Sequence, residues 1–167
     1  MTDHRSIRTK TDAQELVITR IFDAPRELVW KAWTEPERFM RWWGPKIFTS
    51  PSCRIDLRVG GKYLWCMRWP DGRDNFTTGE YVEIVPLERL VYTASFADAA
   101  GSVVPASHYG MTDDIALVMR VTVTFEDLGG KTKMTVTHWG HPTGEISEMA
   151  NQGWNESFDK LAQSLAA

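Results

Sequence analysis

The sequence predicts an α+β protein in which a strongly curved antiparallel sheet of six to seven strands wraps one long C-terminal helix, with two short helices after the first strand. Three observations carry this reading. Stretches of alternating apolar and polar residues, separated by turn residues, recur from Cys53 to Trp139. From Gly144 to Leu165 the apolar residues step at three and four, the spacing of one helix face. Between the first strand and the rest lies an aromatic-rich helical stretch ending in Arg41-Trp42-Trp43-Gly44-Pro45.

Taken in order, Glu15 to Phe22 is rich in β-branched residues and reads as a strand. Asp23-Ala24-Pro25 starts a helix, with Asp23 or Ala24 as its cap and Pro25 suited to its first turn. Leu28, Val29, Ala32 and Trp33 recur at helical spacing, and Thr34-Glu35-Pro36 breaks this helix and opens a second one. Phe39, Met40 and Trp43 form the apolar side of that second helix, and Gly44-Pro45 ends it. Strands follow at Cys53 to Leu57 and Lys62 to Trp69, the latter with Tyr63, Trp65, Met67 and Trp69 on one face. Pro70-Asp71-Gly72-Arg73 is a hairpin turn, since proline presets φ and glycine accepts a positive φ. Phe76 to Val85 and Arg89 to Phe96 continue the sheet, with Leu90, Tyr92, Ala94 and Phe96 sharing a face. Leu117 to Glu126 alternates cleanly, Gly129-Gly130 turns the chain, and Lys131 to Trp139 returns with Met134, Val136 and His138 on one side. The final helix presents Ile146, Met149, Ala150, Gly153, Trp154, Phe158, Leu161 and Leu165 as its apolar stripe. Residues 97–114 break the rhythm as a long loop, the kind that serves as a lid or a binding loop.

Length and composition bound the function. With 167 residues the chain fits a single domain over 14–167, preceded by a flexible polar stretch over 1–13. A net charge of −3 argues against a nucleic-acid partner, which calls for a basic face. No apolar run approaches the roughly 20 residues needed to span a bilayer. The N-terminus lacks an apolar core behind its charges, so a cytoplasmic location is expected. Cys53 and Cys66 have no metal-type spacing and read as buried or half-buried thiols. Eight tryptophans are the compositional oddity, suited to a heavy core or to an aromatic-lined pocket.

One family resemblance runs through the chain. The run Arg20-Ile21-Phe22-Asp23-Ala24-Pro25-Arg26-Glu27-Leu28-Val29-Trp30-Lys31-Ala32-Trp33-Thr34 resembles the opening of the family homologous to the activator of the heat-shock-protein-90 ATPase. Three further segments are similar to it, in the expected order: Arg41 to Pro45, Asp56 to Gly61, and Gly153 to Leu161. The family belongs to the START-like (SRPBCC), birch-pollen-allergen-like superfamily. The resemblance implies a helix-grip fold with a cavity between sheet and C-terminal helix. That superfamily includes lipid carriers, hormone receptors, polyketide cyclases and chaperone regulators, so fold alone does not assign activity. The separate chaperone-docking domain of full-length activators has no counterpart among these residues, which argues against a chaperone partner.

Inward-facing side chains of the sheet and helix are the candidate ligand-binding residues: Trp65, Met67, Tyr92, Phe96, Met119, Val121 and Met134 from strands, and Met149, Trp154 and Phe158 from the helix. Methionine and aromatic side chains make adaptable apolar walls. Trp42, Trp43, Gly44 and Pro45 are candidates for the cavity mouth, or else simply pack the short helices. No metal-ligand spacing, phosphate loop, nucleophile elbow or dinucleotide fingerprint is present, so neither metal nor cofactor is expected. His138 shares a face with Met134 and Val136. With Tyr92, Tyr109 or Arg120 it is a weak candidate for proton transfer. His108 and His141 invite the same catalytic reading or a metal one. Arg58 and Arg120 could reach inward to hold a ligand carboxylate, with Glu80 as an alternative inward acid, and a solvated strand face is the plainer reading of Arg120.

The expected function is binding or carriage of a small apolar or aromatic molecule between sheet and helix. The alternatives are a cyclase- or hydrolase-like enzyme acting on a bulky aromatic or polyketide substrate, and a chaperone- or protein-regulating interaction module. Homodimerisation through an edge strand is possible on this sequence.

Overall fold

The computed structural model describes residues 15–166. The flexible stretch expected over 1–13 lies outside the described residues. Strand β1 (Glu15–Phe22) leads into helix α1 (Arg26–Thr34) and the single turn α2 (Pro36–Phe39). Six strands follow: β2 (Cys53–Ile55), β3 (Lys62–Arg68), β4 (Asp74–Val85), β5 (Arg89–Ala97), β6 (Met119–Asp127) and β7 (Thr132–Trp139). Helix α3 (Glu145–Ala166) closes the chain.

The seven strands form one antiparallel sheet in the order β1-β7-β6-β5-β4-β3-β2. From β2 to β7 each strand hydrogen-bonds to its sequence neighbour through a hairpin or loop, and only β1 inserts out of order, beside β7. Strand β4 carries a bulge between Tyr81 and Glu83, which adds twist and bends the sheet. The architecture is the α+β helix-grip arrangement, with all seven strands of the expected range present.

Local boundaries shift for identifiable reasons. Pro25 itself is the cap of α1, its carbonyl accepting from the Leu28 and Val29 amides, so Asp23 and Ala24 lie outside the helix. Helix α2 stops at Phe39 instead of reaching Trp43. Beyond it the Arg41 and Trp42 amides reach back only three residues, to Arg38 and Phe39. Strand β6 begins at Met119, because Leu117 and Val118 are exposed at the end of the preceding loop. That loop is pinned to the sheet: the Tyr109 hydroxyl donates to the Ala97 carbonyl at 2.5 Å and accepts from the Phe76 amide at 3.2 Å.

The space between sheet and α3 is filled rather than hollow. Trp33 from α1 is fully buried, and its ring lies 6.1 Å from Trp154, 6.4 Å from Phe158, 6.4 Å from Tyr92 and 4.8 Å from Trp42. Its indole N–H donates to the Met134 sulfur at 3.2 Å. Trp42, also fully buried, donates its indole N–H to the Ala32 carbonyl at 2.9 Å. Phe39 then reaches Trp65 on β3 at 4.4 Å between ring centres. The aromatic side chains of the short helices thus occupy the volume that a bent sheet and one helix leave between them.

Gly79 shows how tightly the far half of the sheet is built. It pairs with Tyr63 on β3, and the Tyr63 hydroxyl crosses it to donate to the Thr93 carbonyl at 2.5 Å. A Cβ at position 79 would sit 1.8 Å from that carbonyl oxygen, so only glycine admits the crossing. Helix α3 is tied to the other edge by Arg20 of β1, whose guanidinium donates to the Asn155 carbonyl at 2.9 Å and pairs with Asp159. That partly exposed pair contributes little energy and mainly sets orientation.

Replacing Trp33 by alanine is expected to lower unfolding free energy by about 4 kcal/mol, since a fully buried indole is lost and its neighbours cannot collapse into the space. Trp139→Ala, at a side chain 36% exposed on the outer face, is expected to cost less than about 1 kcal/mol. Urea unfolding of both variants measures the contrast.

Candidate functional site

The aromatic filling stops short at one end of the sheet, where α3 passes over the turn after α2. An open cleft of about 170 Å³ remains there, lined by Trp43, Gly44, Pro45, Met67, His138, His141, Ala150, Gly153, Trp154 and Ser157. Its cause is local. Where α3 crosses Gly44-Pro45 it presents Ala150, Gly153 and Ser157, three small residues on one face at steps of three and four. Glycine within a helix costs about 1 kcal/mol relative to alanine. A Cβ at 153 would meet the Pro45 ring at 3.4 Å, and any longer side chain would enter the cleft.

The turn is held against the helix from the other side. Lys160 donates to the carbonyls of Pro45 and Phe48, both at 3.0 Å, and its partial burial lowers its pKa. The Lys46 amide donates to the Glu156 carboxylate at 3.1 Å. Helix and turn therefore form two fixed walls.

The floor is polar in a specific way. The Trp154 indole N–H donates to Nδ1 of His138 at 3.0 Å. His138 is 8% exposed, and burial, with His141 beside it, holds its pKa well below 6.5. The imidazole is neutral, and with the Nδ1 lone pair engaged its proton sits on Nε2. That Nε2 is buried with no hydrogen-bond partner among the described residues. His141, 9% exposed, has a ring centre 4.3 Å from His138 and a pKa lowered by burial. Its Nδ1 is likewise buried and unpartnered, as is Nε1 of Trp43. Three unsatisfied buried polar atoms on wall residues of one cleft are unusual, because such atoms each cost about 1–3 kcal/mol.

The sequence-derived candidates separate into two groups. Met67 and Trp154 line the cleft, together with His138 and the expected mouth residues Trp43, Gly44 and Pro45. Trp65, Tyr92, Met119, Val121, Met134 and Phe158 face inward but are closed in the core, in contact with other side chains, and Trp42 joins them there. Phe96 is half-buried and packs near Tyr109, with ring centres 6.1 Å apart, outside the cleft. Met149 departs from expectation: it is 61% exposed, on the solvent side of α3, because the face turned toward the sheet runs through Trp154, Phe158 and Leu161. Among the weak catalytic candidates, Arg120 is exposed on the outer sheet face and Tyr92 is a protonated phenol deep in the core, its pKa raised by burial. His108, Arg58 and Glu80 are exposed as well. No residue of 98–118 lines the cleft. Sequence reasoning missed Ser157 as a wall residue and placed Ala150 and Gly153 only in the apolar stripe. Their signal was small side chains spaced along the helix face opposite Gly44-Pro45. Among the described residues no three histidine, cysteine, aspartate or glutamate side chains gather as a metal-binding set, and no helix is long and apolar enough to cross a membrane.

Comparison with known proteins agrees with this architecture. The family model described as Activator of Hsp90 ATPase homolog 1-like protein matches residues 23–166. The crystal structure of a protein from Nitrosomonas europaea is 25% identical with a TM-score of 0.74, covering 92% of this chain and 95% of its own. A solution structure from Arthrobacter aurescens is 26% identical with a TM-score of 0.75, covering 93% and 88%. The AHSA1 protein from Silicibacter pomeroyi, at 21% identity and a TM-score of 0.73 over 91% and 97%, shares the fold. No curated protein gives a significant match.

Both cleft histidines have folded-state pKa values below the unfolded 6.5, so the unfolded chain binds protons that the folded chain does not. Stability is expected to be level above about pH 7 and to fall as pH drops below 6.5, by up to about 1.4 kcal/mol per pH unit for each histidine. Urea unfolding between pH 7 and 5 measures the slope. Long-range ¹H–¹⁵N spectra at pH 7 should show His138 as the neutral Nε2–H tautomer.

Proposed function

Because the chain belongs to the Activator of Hsp90 ATPase homolog 1-like family, whose START-like fold lends itself to ligand binding, we propose that it binds a small apolar or aromatic molecule in the cleft between α3, the Gly44-Pro45 turn and the end of β7. The observation that carries this reading is the coincidence of one cleft with three unpartnered buried polar atoms on its walls. Ligand sites are mostly apolar with a few convergent polar groups, and this one has that composition.

Size sets the class. A cavity near 150 Å³ holds a benzene-sized ring, while drug-sized ligands need about 300 Å³ or more. At about 170 Å³ the cleft takes one ring. A bulky polyketide would extend beyond its walls, so the one-ring ligand is the better match to the enclosed part of the cleft. The protein-regulating reading has less support: the tryptophans of the short helices are largely buried, and exposed apolar side chains on the outer sheet face, such as Val17, Ile21 and Trp139, alternate with threonines.

The buried neutral histidine pair favours one second reading, acid–base chemistry on a one-ring substrate. It predicts hydrolysis of phenyl acetate above the buffer rate, lost in His141→Phe while ring binding persists. Absence of that rate removes the reading.

For the binding reading, an aromatic ring burying about 150 Å² gains about 4 kcal/mol, which corresponds to a Kd on the order of 1 mM. Toluene titrated against ¹⁵N-labelled protein should shift the indole resonances of Trp43 and Trp154 with that affinity. Gly153→Leu places a side chain in the cleft and should abolish the shifts while the circular dichroism spectrum is kept. No saturable shift in the wild-type protein overturns the proposal.

A further inference from the structure

We propose that the natural occupant of the cleft is a phenol, a single ring bearing a hydroxyl, whose oxygen accepts from Nε2–H of His138 and whose proton is donated to Nδ1 of His141. This inference rests on the cleft being a binding site and deepens it to a chemical class.

The chemistry follows from the hydrogen bonds already made. Trp154 engages Nδ1 of His138 at 3.0 Å, which makes Nε2 a donor. Nε2 of His138 is buried without an acceptor. Nδ1 of His141 is buried without a partner on the neighbouring ring. The two rings are close but stand at 66°, and they make no hydrogen bond to each other. Nε2 of His138 is a donor, Nδ1 of His141 is a donor or an acceptor according to its tautomer, and the ring centres are 4.3 Å apart, so one atom that both accepts and donates answers to both.

A hydroxyl is the smallest group that does so, and it serves either tautomer of His141, since its oxygen has a second lone pair. A carbonyl or ether oxygen serves only one of them. A carboxylate would bring a charge against two imidazoles that burial keeps neutral, in a cleft whose lining is mostly apolar. Volume then limits the body to one ring. Methyl and hydroxyl are close in size, so binding of ring compounds that differ only there separates shape from hydrogen bonding.

The test is calorimetric titration of the full chain at pH 7.5 with phenol, toluene and anisole. Phenol is expected to bind about tenfold more tightly than toluene, because two hydrogen bonds to buried groups outweigh one lost methyl. Anisole, which accepts but cannot donate, keeps at most one of the two hydrogen bonds and is expected to bind more weakly than phenol. In His141→Phe, checked for fold by circular dichroism, the preference for phenol should shrink to about threefold or less. Toluene or anisole binding as tightly as phenol overturns the hydroxyl assignment while leaving the cleft as a ring-binding site. If none of the three binds, both the assignment and the cleft reading fall.

Discussion

The constraint on which the rest of the structure depends is the burial of the Trp33 indole between sheet and helix. A strongly bent sheet and one helix cannot touch along their whole length, and the gap has to be filled or left open. Trp33 fills it at the centre, with Trp42 and Phe39 beside it. Its one polar atom is satisfied by the sulfur of Met134, a weak acceptor that an apolar core can supply without burying a charge. The short helices are therefore a plug whose aromatic side chains decide how much of the sheet–helix space survives.

What survives lies where the plug ends. Trp43, one residue beyond the buried Trp42, is only half-buried, and Gly44-Pro45 turns the chain away beneath α3. The helix answers with Ala150, Gly153 and Ser157 rather than with another row of large residues. Lys160 and Glu156, both half-buried, then fix the turn to the helix, so the opening is framed by hydrogen bonds on its outer side and by packed rings within. A mid-helix glycine is unfavourable by propensity, and here it faces the Pro45 ring, which a Cβ would meet at 3.4 Å.

The same economy governs the chemistry. The Trp154–His138 hydrogen bond docks α3 onto β7 and, in doing so, fixes the protonation pattern of the imidazole that faces the cleft. Packing and chemistry are set by one contact. Burial keeps His138 and His141 neutral, so the pair offers hydrogen-bonding directionality without charge, in surroundings that are mostly apolar. The buried phenols of Tyr81 and Tyr92 and the indole of Trp65 also lack partners, but they lie in the closed part of the core, where no opening admits a ligand.

By itself the sequence determined the order and type of the elements, because two-residue alternation, three-and-four spacing and turn residues are local properties of the chain. It also determined which strand faces turn inward: Tyr63 and Trp65, Leu90 and Tyr92, and Met134, Val136 and His138 all lie where alternation put them. Only the tertiary structure decided how much space lay between those faces. Whether an inward residue lines a cavity or a filled core depends on what the neighbouring element brings, and Trp33 arrives from α1 and Trp42 from the turn after α2, both distant in sequence from the strands and α3 that they pack against. Rotation about the long axis of α3 was likewise a matter of docking: Met149 fits the apolar stripe on paper, yet the hydrogen bond from Trp154 to His138 and the burial of Phe158 and Leu161 turn it to solvent. The pairing of His138 with His141 depends on the local bend at Gly140, and spacing alone does not encode its φ of 129°.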